Sequence, residues 1–263
     1  VCSDTPETLF LALFQHLAKT EKLAMLTLSP MDPDAPEFGH MQRALSRAGW
    51  AGTHAFFCFG NWIHDVQGHS YQTYLGSRPS SLRNTIARKT RKFFDADRGQ
   101  IEIVEGGDAL ETAITRYVTV YNNSWKNEEP YQDFTPALLR LAANRTWLRL
   151  GIASYDNVPV ASQIWLVCGG TAYIFKLAYD ENYKHLSAGT VLTAHMMQRA
   201  IDSDHIARID YLSGDDAYKA DWMSERRQQY GIAAYNPYSL RGMAMLMEYK
   251  LRKLAKTLWK RER

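Results

Sequence analysis

Two short stretches of this sequence combine residue types and spacings that are suited to chemistry. The first runs from Tyr183 to Val191, between an apolar stretch typical of a strand and a pattern typical of a helix. Small residues allow a tight turn there, and the free N–H groups and dipole of a helix start attract an anion such as a pyrophosphate. The predicted anion-binding residues are Ser187, Ala188, Gly189, Thr190 and Val191. An ordinary helix cap explains the same residues equally well.

The second stretch runs from Asp210 to Trp222. A strand ends at Ser213-Gly214 and is followed at once by a helix rich in polar residues, among them Asp215, Tyr218 and Lys219. Open α/β sheets bind ligands at the carboxyl ends of their strands, so these three are candidate catalytic residues. Asp210 alternates with apolar residues, and a carboxylate inside a sheet needs a partner. The competing interpretation is that the polar residues only form the exposed face of a helix.

The elements that position these residues follow from hydrophobic periodicity and turn signals. Helices are predicted at residues 7–19, 37–48, 81–95, 110–122, 135–143, 189–203, 216–223 and from 239 onward. Strands are predicted at residues 23–28, 53–59, 147–155, 160–167, 171–178, 208–213 and 231–235. The turns at Asp156–Pro159 and Gly169-Gly170 join three of the strands into an antiparallel meander. This mixture predicts an α/β (α+β) fold.

The order of helix, strand, helix and strand at residues 7–59 returns at residues 189–235. The repetition predicts a duplicated fold whose first copy has lost its front half. We therefore expect a partial N-terminal half-domain at residues 1–76 and a catalytic domain at residues 77–263, the latter ending in a basic helix.

The net charge of +3 is unevenly distributed. Basic residues cluster at residues 78–98 and 241–263, either as solvated helix faces or as surfaces for the phosphates of a cofactor, a nucleic acid or lipid head groups. The last helix is also amphipathic, with apolar residues at Leu240, Met243, Met247, Leu251, Leu254 and Leu258.

Composition excludes several classes of protein. With 46% hydrophobic and 22% charged residues, the 263-residue chain is typical of a globular protein with a real core. No apolar run reaches the ~20 residues that span a membrane. The separated cysteines Cys2, Cys58 and Cys168 favour reduced thiols and a cytoplasmic location. The histidines form no ligand-pair motif, so no metal is expected.

Six motifs resemble the CelD-like family of GNAT acyltransferases, which is named from cellulose and exopolysaccharide gene clusters and is related to the Fem peptidyltransferases. The motifs are Ser81–Lys92 (SLRNTIARKTRK), Asn123–Lys126 (NSWK), Val158–Gln163 (VPVASQ), Phe175–Asp180 (FKLAYD), Ser187–Gly189 (SAG) and Gly214–Lys219 (GDDAYK). They lie between residues 81 and 219 and follow the family's order. Ala188 departs from the family's Ser-Pro-Gly but leaves every amide donor in place. The resemblance implies a GNAT fold, a mixed central sheet flanked by helices, with a truncated first repeat.

The resemblance also implies an acyl-thioester donor, with acyl-CoA as co-substrate. In GNAT folds the strand that matches residues 171–178 diverges from its neighbour at 208–213, and the opened backbone takes the pantetheine arm. In the Fem enzymes a lysine at the acyl-transfer centre matches Lys219, whose cation could stabilise an oxyanion. Tyr218 could instead protonate the leaving thiolate, and Asp215, or Asp180 through water, could take the proton of the attacking amine.

Four residues are candidate substrate contacts: Trp125, Gln163, Lys176 and Asp180. Gln163 and Lys176 are as readily explained as structural residues. Trp125 fits the wall of a cleft, and it also fits a core position.

Three functions stay open. The first is a coenzyme A-dependent acyltransferase that acts on a small molecule or a polysaccharide precursor. The second is a Fem-like aminoacyltransferase whose basic helices follow the phosphates of aminoacyl-tRNA. The third is a GNAT-fold binding module without catalysis. The basic helices also allow peripheral contact with a membrane.

Overall fold

The computed structural model describes residues 6–259, except for the side chains of residues 256–258. Cys2 and the side chain of Leu258 therefore lie outside the described residues, while Cys58 and Cys168 are free thiols. The chain separates into two compact units, one containing the residues up to Gly60 and from Arg227 onward, the other Asn61–Arg226.

This division differs from the expected boundary after residue 76. The reason is that the C-terminal part of the chain returns to the first unit, where residues 230–235 pair with residues 25–31. The interpretation of the first unit as a truncated repeat stays a prediction.

The helices of the described residues are α1 (Pro6–Lys19), α2 (Pro36–Arg47), α3 (Tyr71–Gly76), α4 (Ser80–Phe93), α5 (Leu110–Asn122), α6 (Phe134–Asn144), α7 (Ala188–Gln198), α8 (Lys219–Trp222) and α9 (Leu240–Trp259). The strands are β1 (Met25–Met31), β2 (Ala51–Asp65), β3 (Gly99–Val104), β4 (Leu148–Tyr155), β5 (Val158–Cys168), β6 (Thr171–Tyr179), β7 (Arg208–Ser213) and β8 (Glu225–Tyr235). None of the described helices combines the length and apolar character that crossing a membrane requires.

In the first unit, α1 and α2 cover strands that run in the order β1-β8-β2. Strands β1 and β8 are antiparallel, with Leu28 opposite Ile232. Phe14 and Leu45 from the two helices pack with Ile232 in one apolar core. The Trp50 indole N–H donates to the carbonyl of Phe14 over 3.0 Å, which ties the start of β2 to α1.

In the second unit the strand order is β2-β7-β6-β5-β4-β3. Alternate strand residues point to opposite faces, so Trp165 packs with α4 and α7 while Ile164 packs with α5 and α6. The predicted meander of β4, β5 and β6 is confirmed as antiparallel. Helices therefore cover both faces of the strands that surround the polar stretches.

Strands β6 and β7 are parallel, and their pairing ends early. It runs from Thr171 opposite Arg208 to Tyr173 opposite Asp210. Strand β6 nevertheless stays paired with β5 as far as Tyr179, after a register shift that leaves Phe175 as a bulged residue. The divergence that the GNAT resemblance implies is thus present.

Three element predictions need correction. The helix predicted at residues 216–223 is shortened to Lys219–Trp222 by a turn at Gly214, which has a φ of +105°. Helix α4 begins at Ser80, one residue before its predicted start, and Pro79 holds its N-cap position. Helix α3 and strand β3 were not predicted, although Gln100–Ile103 alternates polar and apolar residues as an amphipathic strand does.

Candidate functional site

A cavity of about 750 Å³ lies where β6 and β7 diverge, and we call it the wedge cavity. Residues 174–179 of β6 and 211–213 of β7 line two of its sides. The start of α7 and the residues after β7 complete it, so both polar stretches of the sequence meet in one place. The predicted site residues that line it are Trp125, Gln163, Lys176, Ser187, Ala188, Gly189, Thr190, Tyr218 and Lys219.

The start of α7 offers fewer free donors than expected. Ser187 has a left-handed φ of 55°, and its carbonyl accepts the N–H groups of Thr190 over 3.0 Å and Val191 over 3.3 Å. Val191 is fully buried in the core and does not line the cavity. The N–H groups of Ala188 and Gly189 belong to the first helical turn, where no helix carbonyl precedes them. The predicted anion site is therefore limited to the N–H groups of Ala188 and Gly189.

Gln163 is a structural residue, although it lines the cavity. Its side chain is 1% exposed, and its amide nitrogen donates to the Gly189 carbonyl over 3.1 Å and to the Thr193 hydroxyl over 2.6 Å. Its amide oxygen accepts the Trp165 indole N–H over 2.9 Å. The amide nitrogen thus ties α7 to β5, while the amide oxygen is held within β5 by Trp165.

Lys219 is turned inward, with 4% exposure. Its ammonium group donates to the carbonyls of Ser213 over 2.9 Å and Gly214 over 3.2 Å, and lies 3.4 Å from a carboxylate oxygen of Asp216. A lysine has three donors, so protein groups already satisfy all of them. The Asp216 contact is the longest and involves an exposed carboxylate, so it is the one that a ligand can replace most easily.

Tyr218 is the opposite case. It is 44% exposed, lines the wedge cavity and packs edge-on against Tyr211 at 6.0 Å between ring centroids. Its hydroxyl has no hydrogen-bond partner within the described part of the chain. Burial, and then the charge of Asp216, raise the pKa of Tyr218 to about 12. The phenol is therefore protonated at neutral pH and free to donate.

Asp215 does not line either this cavity or its neighbours. Its carboxylate accepts the Arg226 Nε–H over 2.8 Å and the Trp62 indole N–H over 3.0 Å. The hydrogen bonds from Arg226 lower the pKa of Asp215. The next residue, Asp216, supplies the carboxylate that lines the wedge cavity, and the catalytic role of Asp215 stays a prediction.

Asp180 also lies away from the cavity and serves the backbone. It caps a 3-10 turn at Glu181–Leu186 by accepting the Asn182 N–H over 2.9 Å, and it accepts the Asn123 amide over 3.1 Å. With 4% exposure it is a buried, satisfied carboxylate. Asp210 found its expected partners in the Asn61 amide and the Leu212 N–H, both at 2.7 Å.

Trp125 forms a wall of the site and is not a core residue. It is 50% exposed, and its ring lies 4.5 Å from the ring of Tyr179. A second cavity of about 640 Å³ lies on its other side, and we call it the side cavity. Trp125, Lys126 and Lys176 line both cavities.

The two lysines at this junction have different partners. Lys176 forms an ion pair with Glu129 and lies 3.2 Å from the Thr135 hydroxyl. Lys126, which was not among the predicted site residues, has only aromatic rings near its ammonium group among the described residues: those of Trp125 at 5.7 Å and Tyr121 at 5.9 Å. Its position in the motif Asn123–Lys126, beside Trp125, was the available signal.

Within residues 6–259 no group of three or more His, Cys, Asp and Glu side chains is placed to hold a metal ion.

Comparison with known proteins addresses the fold and the family. The C-terminal domain (DUF2156) of an Agrobacterium fabrum protein assigned as a lysylphosphatidylglycerol synthetase is 14% identical with a TM-score of 0.59, over 93% of this chain and 77% of its own. FemX is 11% identical with a TM-score of 0.59, over 86% and 75%. The tandem GNAT protein from the clavulanic acid biosynthesis pathway, without AcCoA, is 11% identical with a TM-score of 0.50, over 88% and 70%. A search of curated proteins gives no match.

These likenesses concern the fold alone, and they agree with the predicted GNAT fold of a mixed sheet flanked by helices. The narrower CelD-like resemblance stays a prediction. A family model described as an acetyltransferase (GNAT) domain matches residues 80–220, which is more than half of the chain and includes every residue of the wedge cavity except Trp222. The chain therefore belongs to the acetyltransferase (GNAT) domain family.

Proposed function

We propose that this protein is an acyltransferase that moves an acyl group from a coenzyme A thioester to an amine or hydroxyl group. The observation that supports this most is the wedge cavity, which joins an unpaired strand edge to a helix start. A pantetheine arm is an extended chain with amide groups that can pair with the open edge of β6. The amides of Ala188 and Gly189 suit the pyrophosphate that follows it.

Tyr218 is the proposed acid. When the acceptor nitrogen attacks the thioester carbonyl, a C–N bond forms, and the C–S bond then breaks with its electron pair on sulfur. The thiolate needs a proton, and the Tyr218 hydroxyl is a protonated, unpartnered donor in the cavity. This assignment makes Tyr218 the main catalytic residue in place of Lys219, which the Fem resemblance favours at the acyl-transfer centre.

Lys219 is proposed as a positioning residue. Its ammonium group holds the carbonyls of Ser213 and Gly214 together and so fixes the turn from which Tyr218 projects. The oxyanion of the tetrahedral intermediate is then left to N–H groups on the open edge of β6.

Asp216 is the proposed route for the acceptor's proton. It is the carboxylate that lines the wedge cavity, and with 63% side-chain exposure it is hydrated, so a water molecule can carry the proton to it. Asp215 and Asp180 are excluded from this role because other protein groups occupy their oxygens.

The experiment that tests the donor is calorimetric titration of the full chain with coenzyme A and acetyl-CoA. Gly189→Pro removes one of the two proposed donors, and Gly189→Glu places a charge where the pyrophosphate would lie. We expect the wild type to bind and both variants to lose at least tenfold in affinity while they unfold cooperatively. If both variants bind coenzyme A with unchanged affinity, the start of α7 is an ordinary helix cap and not an anion site.

A second candidate donor is aminoacyl-tRNA, and helix α4 favours it. Arg83, Arg88, Arg91 and Lys92 are exposed on this helix, and none of them forms an ion pair within residues 6–259. Such a surface attracts a phosphate backbone with an affinity that falls steeply with salt. Titration of charged tRNA at low and at physiological salt separates the two donors. Salt-sensitive binding of tRNA without binding of coenzyme A would establish the second.

Helix α9 supports a peripheral contact with an anionic membrane. Leu246 is packed at 6% exposure, while the opposite side leaves Leu240, Met247 and Leu251 more than half exposed. Basic residues flank that apolar side: Arg241, Lys250, Arg252 and Lys253. An exposed apolar face flanked by cations suits the surface of an anionic bilayer. Co-sedimentation with phosphatidylglycerol vesicles but not phosphatidylcholine vesicles is expected, and Met247→Glu should abolish it.

The third candidate function is a binding module without catalysis, and the same titrations test it. A wild type that binds neither coenzyme A nor tRNA would favour it.

A further inference from the structure

The side cavity is a second compartment that shares a wall with the wedge cavity. Its volume is about 640 Å³, and it opens on the segment between α5 and α6. The shared wall consists of Trp125, Lys126 and Lys176, so a molecule in one cavity reaches the edge of the other. The remaining residues of the side cavity include three aromatic rings and two carboxylates: Tyr121, Tyr131, Phe134, Glu128 and Glu129.

Two of the three deeply placed lysines around these cavities are neutralised by the protein. Lys176 pairs with Glu129, whose second oxygen accepts the Thr135 hydroxyl over 2.6 Å. Lys219 is satisfied by two carbonyls and by Asp216. Neither carries a charge that calls for an anionic ligand.

Lys126 is the exception within the described residues. Its side chain is partly buried, and no carboxylate of residues 6–259 lies within ion-pair distance of its ammonium group. Glu129 and Asp216 act on it at longer range, against the repulsion of Lys176 and Lys219. Burial, and then the charge of Lys176, lower the pKa of Lys126, since both disfavour its cation.

An uncompensated cation in a partly buried place is costly, and two ring faces beyond 5 Å compensate it only in part. A ligand with a negative group removes that cost on binding. The ammonium group stands at the junction of the two cavities, so the negative group of such a ligand lies beside the place where acyl transfer is proposed.

We infer that the side cavity binds the acceptor and that the acceptor is an amine that also carries an acid group, carboxylate or phosphate, bound by Lys126. This inference rests on the proposed acyl transfer. The choice of an amine follows from Glu128, an exposed carboxylate of the same cavity that is free of any ion pair within the described chain and can attract an ammonium group. Trp125 offers a ring face to the rest of the acceptor.

Two matched pairs of probes test the acid group. Tyrosine and tyramine differ by a carboxylate, while glucosamine 6-phosphate and glucosamine differ by a phosphate. With acetyl-CoA as donor, release of free thiol gives kcat and KM for each acceptor, and calorimetry without donor gives direct binding. We expect at least one acid-bearing probe to exceed its acid-free partner by tenfold or more in kcat/KM and in affinity. The pair that does so distinguishes carboxylate from phosphate.

Three variants connect the preference to Lys126. Lys126→Met keeps the stem and removes the charge, and it should raise KM for the acid-bearing probe by about tenfold to a hundredfold, the usual loss for a charged hydrogen bond. Lys126→Arg keeps the charge and should retain most of the preference. Lys19→Met is the matched control, because this exposed lysine lines neither cavity. The KM for acetyl-CoA and its slow hydrolysis by water should be unchanged in Lys19→Met.

The outcomes separate the inference from the proposed function. Acid-bearing probes that bind through Lys126 without any thioester cleavage would sink the acyltransferase proposal and leave the anion site standing. Turnover with equal kcat/KM within both pairs would overturn the anion site alone. The same conclusion would follow if no acid-bearing probe binds more tightly than its acid-free partner. A Lys126→Met variant that raises KM for acetyl-CoA instead would assign Lys126 to the donor's phosphates and also overturn the inference.

Discussion

Replacement of Tyr218 by Phe is the sharpest test of the proposed chemistry. The change removes one oxygen atom and keeps the ring that packs against Tyr211. Because the hydroxyl has no partner among residues 6–259 and the side chain is 44% exposed, the free energy of unfolding should change by no more than ~0.5 kcal/mol. The binding of acetyl-CoA should also be unchanged.

The expected loss in turnover follows from the role of an acid. With a pKa of about 12, Tyr218 is essentially fully protonated at neutral pH, so the acid form is present in every wild-type molecule. General acids contribute about 10²–10⁴-fold, and kcat of Tyr218→Phe should fall within that range. The same pKa predicts no loss of wild-type activity from this residue up to about pH 11.

The assay is thiol release from acetyl-CoA, with Tyr183→Phe as the control, since Tyr183 also lines the wedge cavity but lies before α7. A thioester whose thiol is more acidic needs less protonation, and so it should recover part of the loss in Tyr218→Phe only. A loss below threefold, or an equal loss in Tyr183→Phe, would refute the acid assignment.

Three further predictions concern the neighbours of Tyr218 and the stability of the second unit. Lys219→Met should lower kcat and should also lower the free energy of unfolding by about 1–3 kcal/mol, because two carbonyls lose their donor. If kcat instead falls 10²–10³-fold while chemical denaturation shows full stability, Lys219 acts at the oxyanion. Asp216→Asn should slow turnover with amine acceptors more than Asp215→Asn does, whereas Asp215→Asn should mainly lower the melting temperature. Kinetics and melting curves that give the reverse order would assign the role of base to Asp215. Burial, and then the charge of Arg78, lower the pKa of His64 from 6.5 to about 4. The neutral imidazole therefore contributes its full stabilisation above pH 6.5, the pKa in the unfolded chain, and this stabilisation is lost as the pH falls toward 4. After a discount for partial exposure this amounts to ~1–2 kcal/mol, and melting curves of His64→Gln between pH 7 and about pH 4 should be flatter than those of the wild type.

The fold could be predicted from the sequence wherever periodicity is strong. Helix α5 and strand β7 begin and end at the predicted residues, because apolar spacing and the adjoining glycines mark their ends. Strand β8 begins six residues before its prediction, since Glu225–Tyr230 is polar and owes its extension to pairing within the fold. The division into two units differs from the expected boundary for a related reason, because the pairing between residues 25–31 and 230–235 joins distant parts of the chain and no local pattern marks it.

The site could be predicted in place but not in detail. Both polar stretches do meet at one cavity, which follows from strand order. Which of Asp215 and Asp216 lines it depends on the φ of Gly214 and on Arg226, and neither effect has a local signal. The importance of Lys126 lies in the partner that it lacks, and a missing partner is visible only once the surrounding side chains are placed.

The pair Tyr218-Lys219 illustrates how the structure decides between two chemical roles. Successive residues of a helix diverge by about 100°, so both cannot face the cavity equally. Lys219 has its three donors directed at three protein acceptors, and this satisfaction explains how a cation tolerates 4% exposure. Its inward direction leaves Tyr218 directed outward, where an unpartnered hydroxyl has only a ligand or water to bond. The buried residue thus stabilises the turn, and the exposed one is available for chemistry.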